Sequence, residues 1–307
     1  MARTWRAPQR GEPKHSEAPG QSAGPASPLA PGLYVVATPI GNARDVSLRA
    51  LDVLDGVDLI AAEDTRVTSK LLAIYGISHP LTAYNDHNAP KERPRLLAKL
   101  RDGARIALVS DAGTPLVSDP GYKLVREAVA EGLPVHAIPG PSAPLTGLTL
   151  AGLPTDRFLF NGFLPPKSAE RRTTLESLKN LRATLIFFEA PQRLAETLAD
   201  MVAVLGPRPA AVTRELTKLH EEVRRADLKD LAAQYAEEEQ PRGEITLLVG
   251  PPLDDGPDYA KVEAALDQAL PFMPVRAAVD LVSSMLDAPR REVYARALAK
   301  KGDQTET

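Results

Sequence analysis

From Leu33 onward, short apolar runs alternate with amphipathic stretches. The β-branched run Leu33-Tyr34-Val35-Val36-Ala37 is followed by strand patterns over residues 58–62, 81–84, 105–110 and 134–138. Each has the length of a buried strand, about 4–8 residues. Between them, apolar residues recur at helical spacing from near Ser47, Thr65, Lys91 and Gly121. Ser47 offers an N-cap hydroxyl ahead of Leu48, Leu51 and Leu54, while Gly56, Gly76, Gly103 and Gly132 stand where helices stop. Strand alternating with helix predicts a parallel or mostly parallel sheet covered by helices.

The alternation continues after a small-residue helix over 142–153 and a strand over 157–160 that leads to Pro165-Pro166, the expected hinge. A helix over 169–181, strand 184–189, helix 192–205, strand 210–215, helix 228–238 and strand 244–249 make a second α/β module. Beyond Gly250-Pro251-Pro252 and the acidic Asp254-Asp255-Gly256-Pro257-Asp258 linker the strand signals stop. Three short helices follow, over 259–270, 275–286 and 289–300, and the turn Asp287-Ala288-Pro289 matches a helix-turn-helix layout. The expected domains are an N-terminal tail over 1–31, α/β domains over 32–160 and 161–252, and a helix-turn-helix-like extension over 258–301.

Composition narrows the class. A chain of 307 residues exceeds one average domain of about 100–200. The Pro/Gly/Ser/Ala-rich stretch before Leu33 cannot bury apolar surface, so disorder is expected there. It is basic but lacks the apolar core of a secretory signal. No apolar run approaches the ~20 residues that cross a bilayer, so no membrane partner is expected. The absence of cysteine excludes a disulfide framework, a thiolate nucleophile and Cys-ligated metal, and points to the reducing cytoplasm. A net charge of −3 argues against coating by nucleic acid but allows a local basic groove.

No phosphate loop, dinucleotide fingerprint, zincin motif or nucleophile elbow is present. The histidines at 15, 79, 87, 136 and 220 lack metal-ligand spacing, so no metal is expected. What stands out are three loops at the C-terminal ends of strands, where open α/β sheets hold ligands. They are Thr38-Pro39-Ile40-Gly41-Asn42, the 110–121 segment that begins Ser110-Asp111-Ala112-Gly113-Thr114-Pro115, and Pro139-Gly140-Pro141-Ser142-Ala143-Pro144. Prolines fix φ and remove donors, while glycine and alanine let a ligand approach the main chain. A tight turn accounts for any one of them alone; a connection as long as 110–121, carrying two aspartates, favours a site.

Ionisable clusters also sit at strand ends: Glu63-Asp64-Thr65-Arg66, Asn85-Asp86-His87-Asn88, Glu189-Ala190-Pro191-Gln192-Arg193 and Arg214-Glu215-Leu216-Thr217-Lys218. Helix caps and local ion pairs explain each singly. Lys167, Arg171 and Arg172 follow the double proline, as a solvated helix face or a phosphate-contacting loop.

These strings, in this order from Ala37-Thr38-Pro39-Ile40-Gly41-Asn42 through Ala62-Glu63-Asp64-Thr65-Arg66, Ser110-Asp111-Ala112-Gly113-Thr114-Pro115 and Ile138-Pro139-Gly140-Pro141-Ser142-Ala143 to Arg214-Glu215-Leu216-Thr217-Lys218, resemble a known family. It is the ribosomal RNA small-subunit methyltransferase I family of the tetrapyrrole methylase superfamily, and the match covers about residues 33–250. The C-terminal helices look like that family's helix-turn-helix extension. The resemblance implies two α/β domains with S-adenosylmethionine in the cleft between them, usually in a homodimer. It also implies methyl transfer to the ribose 2′-oxygen of a cytidine in the decoding region of 16S ribosomal RNA, free or in the small subunit. By the same resemblance Pro39, Asp111, Ala112, Gly113, Ser142 and Ala143 line the cofactor. Ser110-Asp111-Ala112 stands where tetrapyrrole-modifying relatives have Gly-Asp-Pro, which points to the RNA-modifying branch.

A ribose hydroxyl is a poor nucleophile, so a positioned base would help. Glu63, Asp64, His87 and Glu189 are the candidates, with the 63–66 segment favoured. Arg66, Arg193 or Lys218 would hold phosphate or polarise the ribose, and Lys167, Arg171 and Arg172 would contact RNA. Two other readings share these features: a corrin or porphyrin-precursor methylase using the same cofactor loops, and a non-catalytic RNA-binding ribosome-assembly factor.

Overall fold

The computed structural model describes residues 29–253 and 259–303. The first half runs β1 (Gly32–Val36), α1 (Leu48–Gly56), β2 (Leu59–Ala62), α2 (Thr65–Ile74), β3 (Leu81–Ala83), α3 (Ala89–Arg101), β4 (Arg105–Val109), α4 (Tyr122–Ala130), β5 (Val135–Ile138) and α5 (Ala143–Ala151). Its strands form one wholly parallel sheet, order β3-β2-β4-β1-β5. Because side chains alternate along a strand, each strand feeds two cores. Leu33, Ile106 and Leu108 pack with Leu97, Leu100 and Leu124, whereas Tyr34, Val36, Ala107 and Val109 pack with Val53, Leu54 and Ile60. Burial on both faces is why these strands read as continuous apolar runs.

The second half runs β6 (Phe158–Phe163), α6 (Ser168–Leu178), β7 (Thr184–Glu189), α7 (Leu194–Leu205), β8 (Pro209–Arg214), β9 (Glu222–Asp227), α8 (Leu228–Glu237) and β10 (Ile245–Val249). Its sheet has the order β6-β7-β10-β8-β9. Only β6 and β7 pair in parallel; β7–β10, β10–β8 and β8–β9 are antiparallel. The alternation seen in sequence is broken where β9 follows β8 without a helix, and the sheet is wholly parallel only in the first half. The chain passes from β8 to β9 through Glu215–Glu221 alone, shorter than the dozen or so residues of a parallel crossover. The principal core, from Leu175, Leu185, Phe187, Leu198, Met201, Leu231 and Leu247, joins this sheet to α6, α7 and α8.

Contacts divide the chain into two compact units, one running through Thr146 and adding Glu215–Glu221, the other comprising Gly147–Arg214 and the chain from Glu222 on. The division falls inside α5, not between residues 160 and 161 as the double proline suggested. The reason is that β6 pairs with β7 along Phe158–Phe163, so a boundary at 160 would cut a strand out of its own sheet.

The extension consists of α9 (Tyr259–Ala269), α10 (Val275–Leu286) and α11 (Arg290–Asp303). Val262, Leu266, Ala278, Val279, Val282, Val293 and Ala297 give it a core of its own. Asp287 adopts the left-handed conformation (φ +48°) at the end of α10, which turns the chain into α11. Of the expected tail, residues 1–28 lie outside the described residues, as does the 254–258 linker. Leu29 is ordered, packing on the first core beside Gly56, and the Tyr34 hydroxyl donates to Ala30 O at 2.6 Å. Among the described residues no helix is long and apolar enough to cross a membrane.

Candidate functional site

In the first unit the three proline- and glycine-rich loops are knitted together at the C-terminal edge of the parallel sheet. Thr38 and Gly113 exchange two backbone hydrogen bonds, 2.8 and 3.1 Å, as an isolated antiparallel bridge. The Thr38 hydroxyl donates to Ser110 O, and the Thr114 hydroxyl donates to Pro141 O at 3.0 Å. A Cβ on Gly140 would stand 3.0 Å from the Ala37 Cβ, so loop and strand touch there at main-chain distance. Pro39, Asp111, Ala112, Gly113, Ser142 and Ala143 thereby share one edge. Asp111 and Ala112 are exposed on it, Pro39, Ser142 and Ala143 half-buried.

The 110–121 loop is held in a demanding backbone path. Leu116 and Ser118 have φ of +76° and +67°, which costs a non-glycine residue about 1–3 kcal/mol each and persists only when the surroundings over-determine it. At Gly121 (φ +128°) an added Cβ would fall 2.7 Å from Leu108 and Leu116 side-chain carbons.

The acids of this edge differ in their surroundings. Asp64 caps α2: its carboxylate accepts from the Arg66 backbone N–H at 2.8 Å and from the Arg66 guanidinium at 2.6–3.1 Å. The Arg66 bonds hold Asp64 at a pKa of about 2. Its amide donates to Asp111 Oδ1 at 2.9 Å, and the Asp111 amide donates to Glu63 Oε2 at 3.3 Å. Burial pushes Glu63 up, against the Asp111 amide bond that lowers it, and the charges of Asp119, Asp111 and Asp86 push it further. Burial also raises Asp111 and Asp119. Asp119, which bonds the Ser110 side chain, is a member of the site that sequence reasoning left out; its signal was its place in the long loop. His87 is exposed in the turn after β3, where Asn85 donates its side-chain amide to Glu63 O at 3.4 Å.

Glu215–Glu221 straps the first loop. The Asn42 amide donates to Thr217 Oγ1 at 3.1 Å, and a Cβ on Gly41 would meet Lys218 Cγ at 2.4 Å and Leu216 O at 2.9 Å. Glu215 and Thr217 both have positive φ, +51° and +64°, and Lys218 is bonded to Glu215 at 2.8 Å.

In the second unit, most of the expected site residues are engaged in structural bonds. Glu189 is buried, with one oxygen accepting from the Thr197 hydroxyl at 2.6 Å and the other from the Ala190 amide at 2.8 Å; Arg193 pairs with it at 3.2 Å. Arg193 also donates to Leu164 O and Pro165 O, so it secures the proline hinge. Arg171, 1% exposed, is bound to Asp200 at 2.6 Å and to Pro166 O. These three residues are committed to holding the hinge and are withdrawn as a base or as RNA contacts. Arg172 also bonds Asp200 but its side chain is 55% exposed, and Lys167 is exposed with Glu170 beside it. In the extension, Arg290, Arg296 and Lys300 meet Asp280, Glu263 and Asp267, so much of its positive charge is matched internally.

Comparison with known proteins gives a consistent picture. Residues 32–232 match the family model Tetrapyrrole (Corrin/Porphyrin) Methylases, and residues 256–301 match the model RsmI C-terminal HTH domain. A Mesorhizobium japonicum protein named ribosomal RNA small subunit methyltransferase I is 51% identical over 92% of this chain and 96% of its own length. A protein of the same name from Escherichia coli O157:H7 is 46% identical over 88% of this chain and 96% of its own. Among solved structures, uroporphyrin-III-C-methyltransferase from Thermus thermophilus aligns with TM-score 0.52 at 22% identity, covering 71% of this chain and 93% of that one. A cobalt precorrin-4 methyltransferase aligns with TM-score 0.54 at 17% identity, covering 71% and 94%. The solved structures share the fold.

Proposed function

Because the chain belongs to the tetrapyrrole methylase family and, within it, to the ribosomal RNA small subunit methyltransferase I group, we propose that it methylates the ribose 2′-oxygen of a cytidine in the decoding region of 16S ribosomal RNA. It is an S-adenosylmethionine-dependent methyltransferase acting on ribosomal RNA. The observation that carries the choice of RNA over a tetrapyrrole is identity near half along almost the whole chain, extension included, with proteins of that name. The cytoplasm is its proposed compartment and a homodimer its proposed assembly.

The loop edge fits the cofactor's chemistry. Asp111 presents a carboxylate to solvent among Glu63 and Asp119, a setting suited to a cation, and the Thr38–Gly113 bridge sets main-chain groups beside it. Pro39, Asp111, Ala112, Gly113, Ser142 and Ala143 would hold the group, which when bound supplies a methyl made electrophilic by a sulfonium. The residues then have one principal task, alignment of the acceptor with that methyl, and orientation of a bound pair can lower a barrier by ~7–11 kcal/mol. Lys167 and Arg172, both with exposed side chains, would contact phosphate; Lys218 would do so from the strap, and the still more exposed Arg66 from the start of α2.

Mapping of ribose methylation on small-subunit RNA from cells with and without the gene tests this reading. Loss of one 2′-O-methylcytidine in the decoding region is expected; an unchanged map would refute it. Calorimetry with S-adenosylmethionine separates the assembly-factor reading, which requires no heat.

A further inference from the structure

Of the carboxylates that the sequence offers as a base, Glu63 is the one whose oxygens are not consumed in holding the fold. Asp64 gives both oxygens to Arg66 and the start of α2. Glu189 has a fully inaccessible side chain and gives its oxygens to Thr197, Ala190 and Arg193. Glu63 stands at the end of β2, half-buried, and Oε2 accepts a single long bond of 3.3 Å from the Asp111 amide, in the loop assigned to the cofactor. Its main chain is fixed from both sides: its amide donates to Val109 O at 3.2 Å and its carbonyl accepts from Asn85.

We propose that Glu63, at the end of β2 beside the 110–121 loop, is the proton acceptor for the ribose 2′-hydroxyl. The inference rests on the RNA 2′-O-methylation reading above. In the step, the 2′-oxygen–methyl bond forms as the sulfur–methyl bond breaks. The bonding pair stays on sulfur, which leaves as a neutral thioether, and the hydroxyl proton passes to the Glu63 carboxylate and then to water.

The negative charges that act on Glu63 include Asp111 and Asp119 from the 110–121 loop and Asp86 from the turn after β3. Burial and these like charges all raise its proton affinity, the direction that makes a carboxylate a better general base near neutral pH. Asp119 is itself half-buried and bonded to Ser110, so its position is set by the same loop.

The test uses the full chain and small subunits purified from cells lacking the gene, with single-turnover rates followed across the acid limb. Glu63→Gln is expected to slow methyl transfer about 10²–10⁴-fold, with S-adenosylmethionine binding by calorimetry preserved within a few-fold. Asp119→Asn removes a negative neighbour, so the Glu63 pKa falls and the acid limb moves to lower pH. A wild-type chain that methylates no subunit overturns the functional reading itself. An active wild type with Glu63→Gln within about tenfold of it, below what a positioned base supplies, or with cofactor binding lost, overturns the assignment of Glu63 alone. If Glu63→Gln does not fold, Glu63→Asp replaces it: a slower enzyme that keeps an acid limb supports the proposal, and a limb absent from the profile overturns it.

Discussion

Asp200 is the residue on which the proline hinge depends. It meets Arg171 at 2.6 Å inside the protein, with Arg172 and Ser168 on its other oxygen. Removing one partner of a buried pair strands the other charge, which typically costs about 3–5 kcal/mol. Asp200→Ala is therefore expected to lower the urea midpoint by the equivalent of that loss, whereas Arg172→Ala, at a half-exposed side chain, is expected to cost under about 1 kcal/mol. Burial works to raise the Asp200 pKa, but the bonds from Arg172, Ser168 and Arg171 outweigh it and leave it lowered. A lowered folded-state pKa means a contribution fully present above the unfolded value, ~3.9, and lost as pH falls through the folded one. Acid titration of unfolding free energy should show that loss, and Asp200→Asn should flatten it. Gly41 poses the opposite problem, too little space: a methyl would be driven into Lys218 Cγ and Leu216 O. Gly41→Ala is expected to destabilise by about 1–3 kcal/mol and to weaken S-adenosylmethionine binding, read by thermal unfolding and calorimetry, because the strap and the Pro39 loop move together.

Among the elements, Arg208 ties two helix ends. Only 2% exposed, it donates from Nε to Leu205 O at the end of α7 and from Nη2 to Lys179 O just beyond α6. Its charge lies where both helix dipoles are negative, and burial lowers its pKa. Arg208→Ala is expected to expose the last amides of α6 and α7 to faster hydrogen exchange while β10 stays protected, and to cost about 2–4 kcal/mol, the scale of two charge-assisted bonds. No sequence pattern signals this double cap, since the two carbonyls belong to separate helices. Strands buried on both faces, such as β4, were legible because the run Ile106–Val109 that fills them is wholly apolar. Strand β9 was not: Glu222-Val223-Arg224-Arg225-Ala226-Asp227 is charged along its length because it is an edge, paired only with β8, and charge is what protects an edge from further pairing. The division inside α5 was hidden for a related reason, since a helix shared by two units keeps one unbroken apolar pattern.

For the whole molecule, the three proline- and glycine-rich loops at the sheet edge were legible because their spacing is written in the chain itself, whereas the fate of each cation was not. Lys167, Arg171 and Arg172 look equivalent in sequence, yet one is buried on Asp200 and another shares that carboxylate from the surface. The same matching runs through the extension, where Arg290, Arg296 and Lys300 each face a carboxylate. RNA affinity should therefore rest on few phosphates. Each neutralised phosphate of a single strand contributes about −0.7 to the slope of log affinity against log salt. With Lys167 and Arg172 as the principal contacts, aided by Lys218 or Arg66, about two to four phosphates predict a slope of about −1.5 to −3. Lys167 can leave Glu170 at little cost, because a surface ion pair is worth under about 1 kcal/mol. Filter binding of small-subunit RNA across a salt series measures the slope directly. Substituting Lys167 and Arg172 together by alanine should reduce its magnitude by about 1.4 and weaken binding without altering S-adenosylmethionine affinity. A slope several times steeper, unchanged by the double substitution, would place the RNA on cations elsewhere in the chain.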